Sequence, residues 1–181
     1  MTIDCPSDCS YLIASRQHRD ERRVVDREKM PFRDQKVSRS VIEIHEALFM
    51  ELAFAVCETA AANPSLVDSD VESAYQALAE TYLTLSKGIL YEHPPAQPLR
   101  RNLYDRLREV VTEYKRREAG GLAAVTSVRD SEIRDALILL TQIAAGQSNG
   151  RPKGRAFLDS VRSQFKPGTF SPPATNIILA P

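Results

Sequence analysis

Apolar positions return every three to four residues through most of the chain, a period that predicts amphipathic helices rather than strands. Val41, His45, Leu48, Leu52, Ala55 and Val56 mark one face, widened by Ile42, Phe49 and Ala53. Ser40 with Glu43 three residues later fits a capping box, in which hydroxyl and carboxylate each accept an orphan amide hydrogen. A first helix therefore opens at Ser40 and stops at Asn63-Pro64. Because it is apolar around much of its circumference, its expected place is the centre of the fold.

Ser69 and Glu72 repeat the capping pattern, and Val71, Tyr75, Leu78, Tyr82, Leu85 and Ile89 follow as the seam of a second helix. The proline-broken stretch from His93 to Pro98 ends it, since proline can neither donate an amide nor let the preceding residue stay helical. A third helix is expected from Leu99 to Glu118, burying Leu99, Leu103, Leu107, Val110, Val111 and Tyr114, with Gly120-Gly121 as its stop. A fourth starts near Asp130 with Ile133, Leu137, Leu140 and Ile143 inward and Gly146 near its end. A fifth takes Pro152 into its first turn, where a missing amide costs nothing, and buries Phe157, Leu158, Val161 and Phe165.

The expected fold is an all-α bundle of about five helices, two helical hairpins plus a capping helix, spanning 37–166. Residues 1–36 carry dense alternating charge and few apolar side chains, and are expected to form a charged N-terminal extension, disordered or a single helix. Residues 167–181 form a proline-containing C-terminal tail that carries the apolar run Ile177-Ile178-Leu179.

Composition narrows the function classes. The 181 residues are 43% hydrophobic and 27% charged, the balance of one ordinary globular domain. Lys+Arg and Asp+Glu are both 24, so no overall field draws the chain to nucleic acid or an anionic membrane, and any polyanion site must be a local patch. Cys5, Cys9 and Cys57 are too few for a disulfide framework. The apolar stretch 47–57 is interrupted by Glu51 and falls well short of the about 20 residues that a membrane span needs. The expectation is a cytoplasmic protein with no membrane partner.

The most distinctive local feature is Gly150-Arg151-Pro152-Lys153-Gly154-Arg155. It resembles the core of an AT-hook, an extended segment that lays arginines into a narrow minor groove. Arg151, Lys153 and Arg155, with Arg100, Arg101 and Arg108 on the third helix, are the candidate phosphate-binding residues. The bland reading is a helix-start loop with solvated charges, and pairs such as Arg101–Asp105 at i, i+4 fit an ordinary charged face.

No catalytic set converges in the sequence. Arg39 and His45 stand at a spacing that resembles the HEPN ribonucleases, helical proteins with such a pair at a dimer interface. That resemblance implies phosphodiester cleavage with Arg39 and His45 as catalytic candidates. No metal or cofactor is expected: there are no Glu-x-x-His pairs for a di-iron bundle, and Cys5-x-x-x-Cys9 lacks a second ligand pair. Cys57 reads as a small core residue. Tyr75 to Tyr82 is similar to the first helix of a tetratricopeptide repeat, but no second copy follows.

The leading expectation is therefore a non-catalytic helical interaction protein that binds a protein partner or itself. The alternatives are a nucleic-acid-binding protein using the basic loop and third helix, and the HEPN-like ribonuclease.

Overall fold

Residues 30–37, 40–120, 127–148 and 153–170, with Ser10, Glu28 and Arg151, are described in the computed structural model. Among the described residues there are six helices and no strand: α1 (Ser40–Ile44), α2 (Glu46–Ala62), α3 (Asp68–Leu85), α4 (Pro98–Ala119), α5 (Asp130–Gln147) and α6 (Ala156–Arg162). The all-α bundle is as expected. The sixth helix arises because the first predicted helix is interrupted at His45, whose φ of −117° and ψ of 32° leave the helical region. Hydrogen bonds from His45 N–H to the Val41 carbonyl and from Phe49 N–H to the His45 carbonyl bridge the break.

α3, rather than α2, holds the centre. It packs along both α4 and α5 and touches α6, whereas α2 packs against α4 and is capped by α6. Val71, Ala74, Tyr75, Leu78, Ala79 and Tyr82 of α3 meet Leu103, Tyr104, Leu107 and Val111 of α4 and Ile133, Leu137 and Ile138 of α5 in one core. The apolar circumference of α2 has a different consequence: Met50 and Phe54 remain 45% and 40% exposed.

Boundaries of two helices, α3 and α6, differ from expectation. The seam of α3 ends at Leu85, and Ile89 lies beyond it. Gly88 adopts φ +78°, with Ile89 N–H bonded to the Thr84 carbonyl at 3.0 Å and Gly88 N–H to that of Leu85 at 2.8 Å. This is a Schellman termination, which glycine supports because it has no Cβ to clash in the left-handed region. The second difference is α6, which begins at Ala156, four residues after the proline expected in its first turn, and ends at Arg162, so that Phe165 lies beyond it and is half-buried.

The last residues of the predicted N-terminal extension pack on the bundle. Gln142 on α5 donates its side-chain amide to the carbonyls of Pro31 and Phe32 at 3.3 and 3.2 Å, and Phe32 and Val37 lie against the core.

Candidate functional site

The start of α3 organises the basic residues singled out from the sequence. Val67 N–H donates to the Asp70 carboxylate at 3.2 Å, so the half of the capping box that forms uses Asp70 rather than Glu72. The other oxygen of Asp70 accepts from Arg100 Nε at 2.8 Å, tying the first turn of α4 to the first turn of α3. Asp68, only 1% exposed, accepts the amide hydrogens of Phe157 and Leu158 at the start of α6. Asp68 N–H in turn bonds the Gly154 carbonyl at 2.9 Å.

Arg155 belongs to the same assembly. Its guanidinium Nη1 donates to the carbonyls of Pro64 at 2.7 Å and Leu66 at 2.8 Å. Arg100 therefore bonds the first turn of α3 and Arg155 the loop that leads into it. Arg108 lies eight residues along α4 from Arg100, about 12 Å of helix, and pairs with Glu92 at 2.7 Å. Arg101, Arg151 and Lys153 have exposed side chains.

The other cations of α4 also meet carboxylates: Arg106 meets Glu58, Lys115 meets Asp130, Arg116 meets Glu113 and Arg117 meets Glu51. Most of the basic character of this helix is therefore neutralised at its own surface. The sequence carried no signal for the partners on other helices, because Glu51 and Glu58 lie 66 and 48 residues away.

His45 is 4% exposed, with Nδ1 sharing a hydrogen bond of 3.0 Å with the Tyr114 hydroxyl and the rings meeting edge to face. Its Nε2 is buried with no hydrogen-bond partner among the described residues. The ring lines a cleft of about 570 Å³ together with Tyr114, Glu118, Arg129 and Glu132. The hydrogen bond from the Arg129 amide to Glu132 holds this carboxyl below the usual range, and the Arg129 guanidinium adds to it. Arg39, the other member of the ribonuclease-like pair, lies outside the described residues, as do Cys5 and Cys9. Cys57 is buried on α2, and burial pushes its thiol up to about 11, which removes the thiolate from neutral solution.

The strongest surface feature was invisible to the helical pattern. Ile89, Leu90 and Tyr91 are 55%, 92% and 60% exposed in the segment between α3 and α4. They are held in place by several bonds. Tyr91 N–H bonds the Ile89 carbonyl at 3.0 Å, an inverse γ-turn with Leu90 at its apex. Thr84 Oγ1 lies 2.9 Å from the Tyr91 carbonyl and 2.7 Å from that of Thr81, with its one hydrogen shared between them, and His93 N–H donates to Thr81 Oγ1 at 2.9 Å. Thr81 Oγ1 is also 3.0 Å from the Tyr104 hydroxyl inside the core. The Tyr91 and His93 rings meet edge to face at 4.8 Å. Leu90 is thus an apolar knob on an anchored backbone.

No helix among the described residues is long and apolar enough to cross a membrane. No group of three or more potential metal-ligating side chains gathers among the described residues. No family model matches this chain, and neither the curated proteins nor the solved structures give a significant match.

Proposed function

We propose that this chain is a non-catalytic helical interaction protein that self-associates through exposed apolar side chains. The observation that carries the reading is the Ile89-Leu90-Tyr91 knob. An apolar tripeptide in solvent is costly, and a turn pinned at Thr81 and Thr84 spares a partner the entropy of ordering it. Ile42, Ile44 and Met50 add exposed apolar surface on α1 and α2. Tyr91 fits an interface as well, since its ring packs while its hydroxyl stays wet.

A nucleic-acid reading draws on Arg101, Arg151 and Lys153, whose side chains are exposed. It has less support, because Arg100, Arg108 and Arg155 already bond groups of this chain. The ribonuclease-like reading rests on His45, buried against Tyr114. RNA cleavage lost in His45→Ala supports it, and cleavage retained in that variant removes it.

The self-association reading is tested by molar mass in solution across micromolar concentrations. A species heavier than 20.2 kDa that Leu90→Asp dissociates supports it. A monomer throughout contradicts it.

A further inference from the structure

A groove of about 940 Å³ runs between α2 and α4, with Phe54, Ala55 and Val110 as its apolar part and charged side chains along its walls. Those walls are largely closed upon themselves, with Arg117 on Glu51 and Arg106 on Glu58 and Glu109. A ligand drawn in by charge would have to break these pairs. An apolar ligand would not. The groove therefore favours an occupant that supplies apolar side chains.

The chain itself brings one to the groove. Its last described residue, Phe170, packs on Phe54 with ring centroids 5.0 Å apart, and Phe165 completes the cluster at 5.9 Å from Phe54 and 5.2 Å from Phe170. Arg162 fixes the exit by donating to the Phe170 carbonyl at 2.8 Å. From this point follow Ser171-Pro172-Pro173-Ala174-Thr175-Asn176 and then Ile177-Ile178-Leu179. The seven steps from Phe170 to Ile177 reach at most about 25 Å. The α4 side of the groove, Asp105 to Arg117, is about 18 Å long. The apolar triplet can therefore lie anywhere along it.

We propose that the groove between α2 and α4 is the docking site of this chain's own segment 171–181, with Ile177, Ile178 and Leu179 on Phe54 and Val110. The same chain is favoured over a second copy because a short linker holds the triplet at an effective concentration on the order of millimolar. The inference uses a surface separate from the Leu90 knob and stands or falls independently of it.

The chain contains no tryptophan, so Phe54→Trp in the full chain places a single indole in the groove, and Thr112→Trp provides a second reporter on an exposed lining position. The expected result is blue-shifted emission protected from iodide. Ile177→Asp/Ile178→Asp/Leu179→Asp should abolish both the shift and the protection at Thr112→Trp and reduce them at Phe54→Trp, where Phe165 and Phe170 remain in contact, with far-UV circular dichroism unchanged. Protection at both reporters that is indifferent to the triple substitution overturns the proposal. Protection that fades on dilution also overturns it, and assigns the groove to the segment of a second copy. Sedimentation of the same samples reads self-association separately, so failure of either idea is recognised without the other.

Discussion

Asp68 on α3 caps α6 from across the bundle, accepting the Leu158 amide hydrogen on one carboxylate oxygen at 3.1 Å and the Phe157 hydrogen on the other at 3.2 Å. α6 has only seven residues and no side-chain cap of its own, so its amide donors would otherwise be buried without partners. Asp68→Ala is expected to cost about 1–3 kcal/mol, the desolvation of orphaned amides. Urea denaturation at neutral pH measures this, and a loss near zero would show that α6 does not depend on the cap.

Arg155 and Lys153 should separate structure from surface. Arg155→Ala removes two hydrogen bonds to the α2–α3 loop and is expected to destabilise the fold by about 1–3 kcal/mol. Lys153→Ala, at an exposed position, should fall within about 0.5 kcal/mol of the parent. Parallel urea titrations of the two variants decide it, and equal stabilities would contradict the structural role given to Arg155.

The sequence pattern located the helical cores closely, because burial follows helical spacing. Leu48, Leu52, Val71, Tyr75, Leu78, Leu103, Leu107, Ile133 and Leu137 are all buried as expected. It misjudged what depends on residues far apart in the chain. Asp68 and Asp70 look like first-turn acids, yet their partners are 30 to 90 residues away. Ile89 continued the seam of α3 by spacing, but Gly88 ended the helix and turned Ile89 and Leu90 outward. Of the candidate basic residues, the sequence could not distinguish Arg155, committed to two carbonyls, from Lys153 two positions earlier.

Glu132 should give α5 an acid-sensitive cap. Its folded-state pKa is lowered by the Arg129 amide and guanidinium, so its ionised form stabilises the fold above the usual glutamate pKa. That contribution is lost as pH falls through the lowered folded value. Glu132→Gln is therefore expected to lower the Tm at pH 7, with the difference from the parent closing at acid pH below about 4. Thermal melts at both pH values test this, and a gap that widens in acid would reverse the assignment.

Cys57 should be inert while the chain is folded. With its thiol pushed up to about 11 by burial, on the order of one molecule in a thousand carries a thiolate at pH 8. In a Cys5→Ser/Cys9→Ser background, reaction with Ellman's reagent at pH 8 is expected only as fast as the protein opens. Denaturant should release a rapid full equivalent. Rapid reaction of the folded protein would place Cys57 at an accessible surface instead.

On the proposed reading, Leu90 is displayed for association. Transferring a leucine side chain from water into an interface is worth about 1.5–3 kcal/mol, or roughly a ten- to hundredfold change in dissociation constant. Sedimentation equilibrium of the parent chain and Leu90→Asp over the micromolar range is the direct test. The expected result is a self-associating parent, a variant whose association weakens at least about tenfold, and unchanged unfolding midpoints, since Leu90 is 92% exposed in the monomer. A parent monomeric at every concentration, or a variant that associates as strongly as the parent, would overturn a role for Leu90 in association.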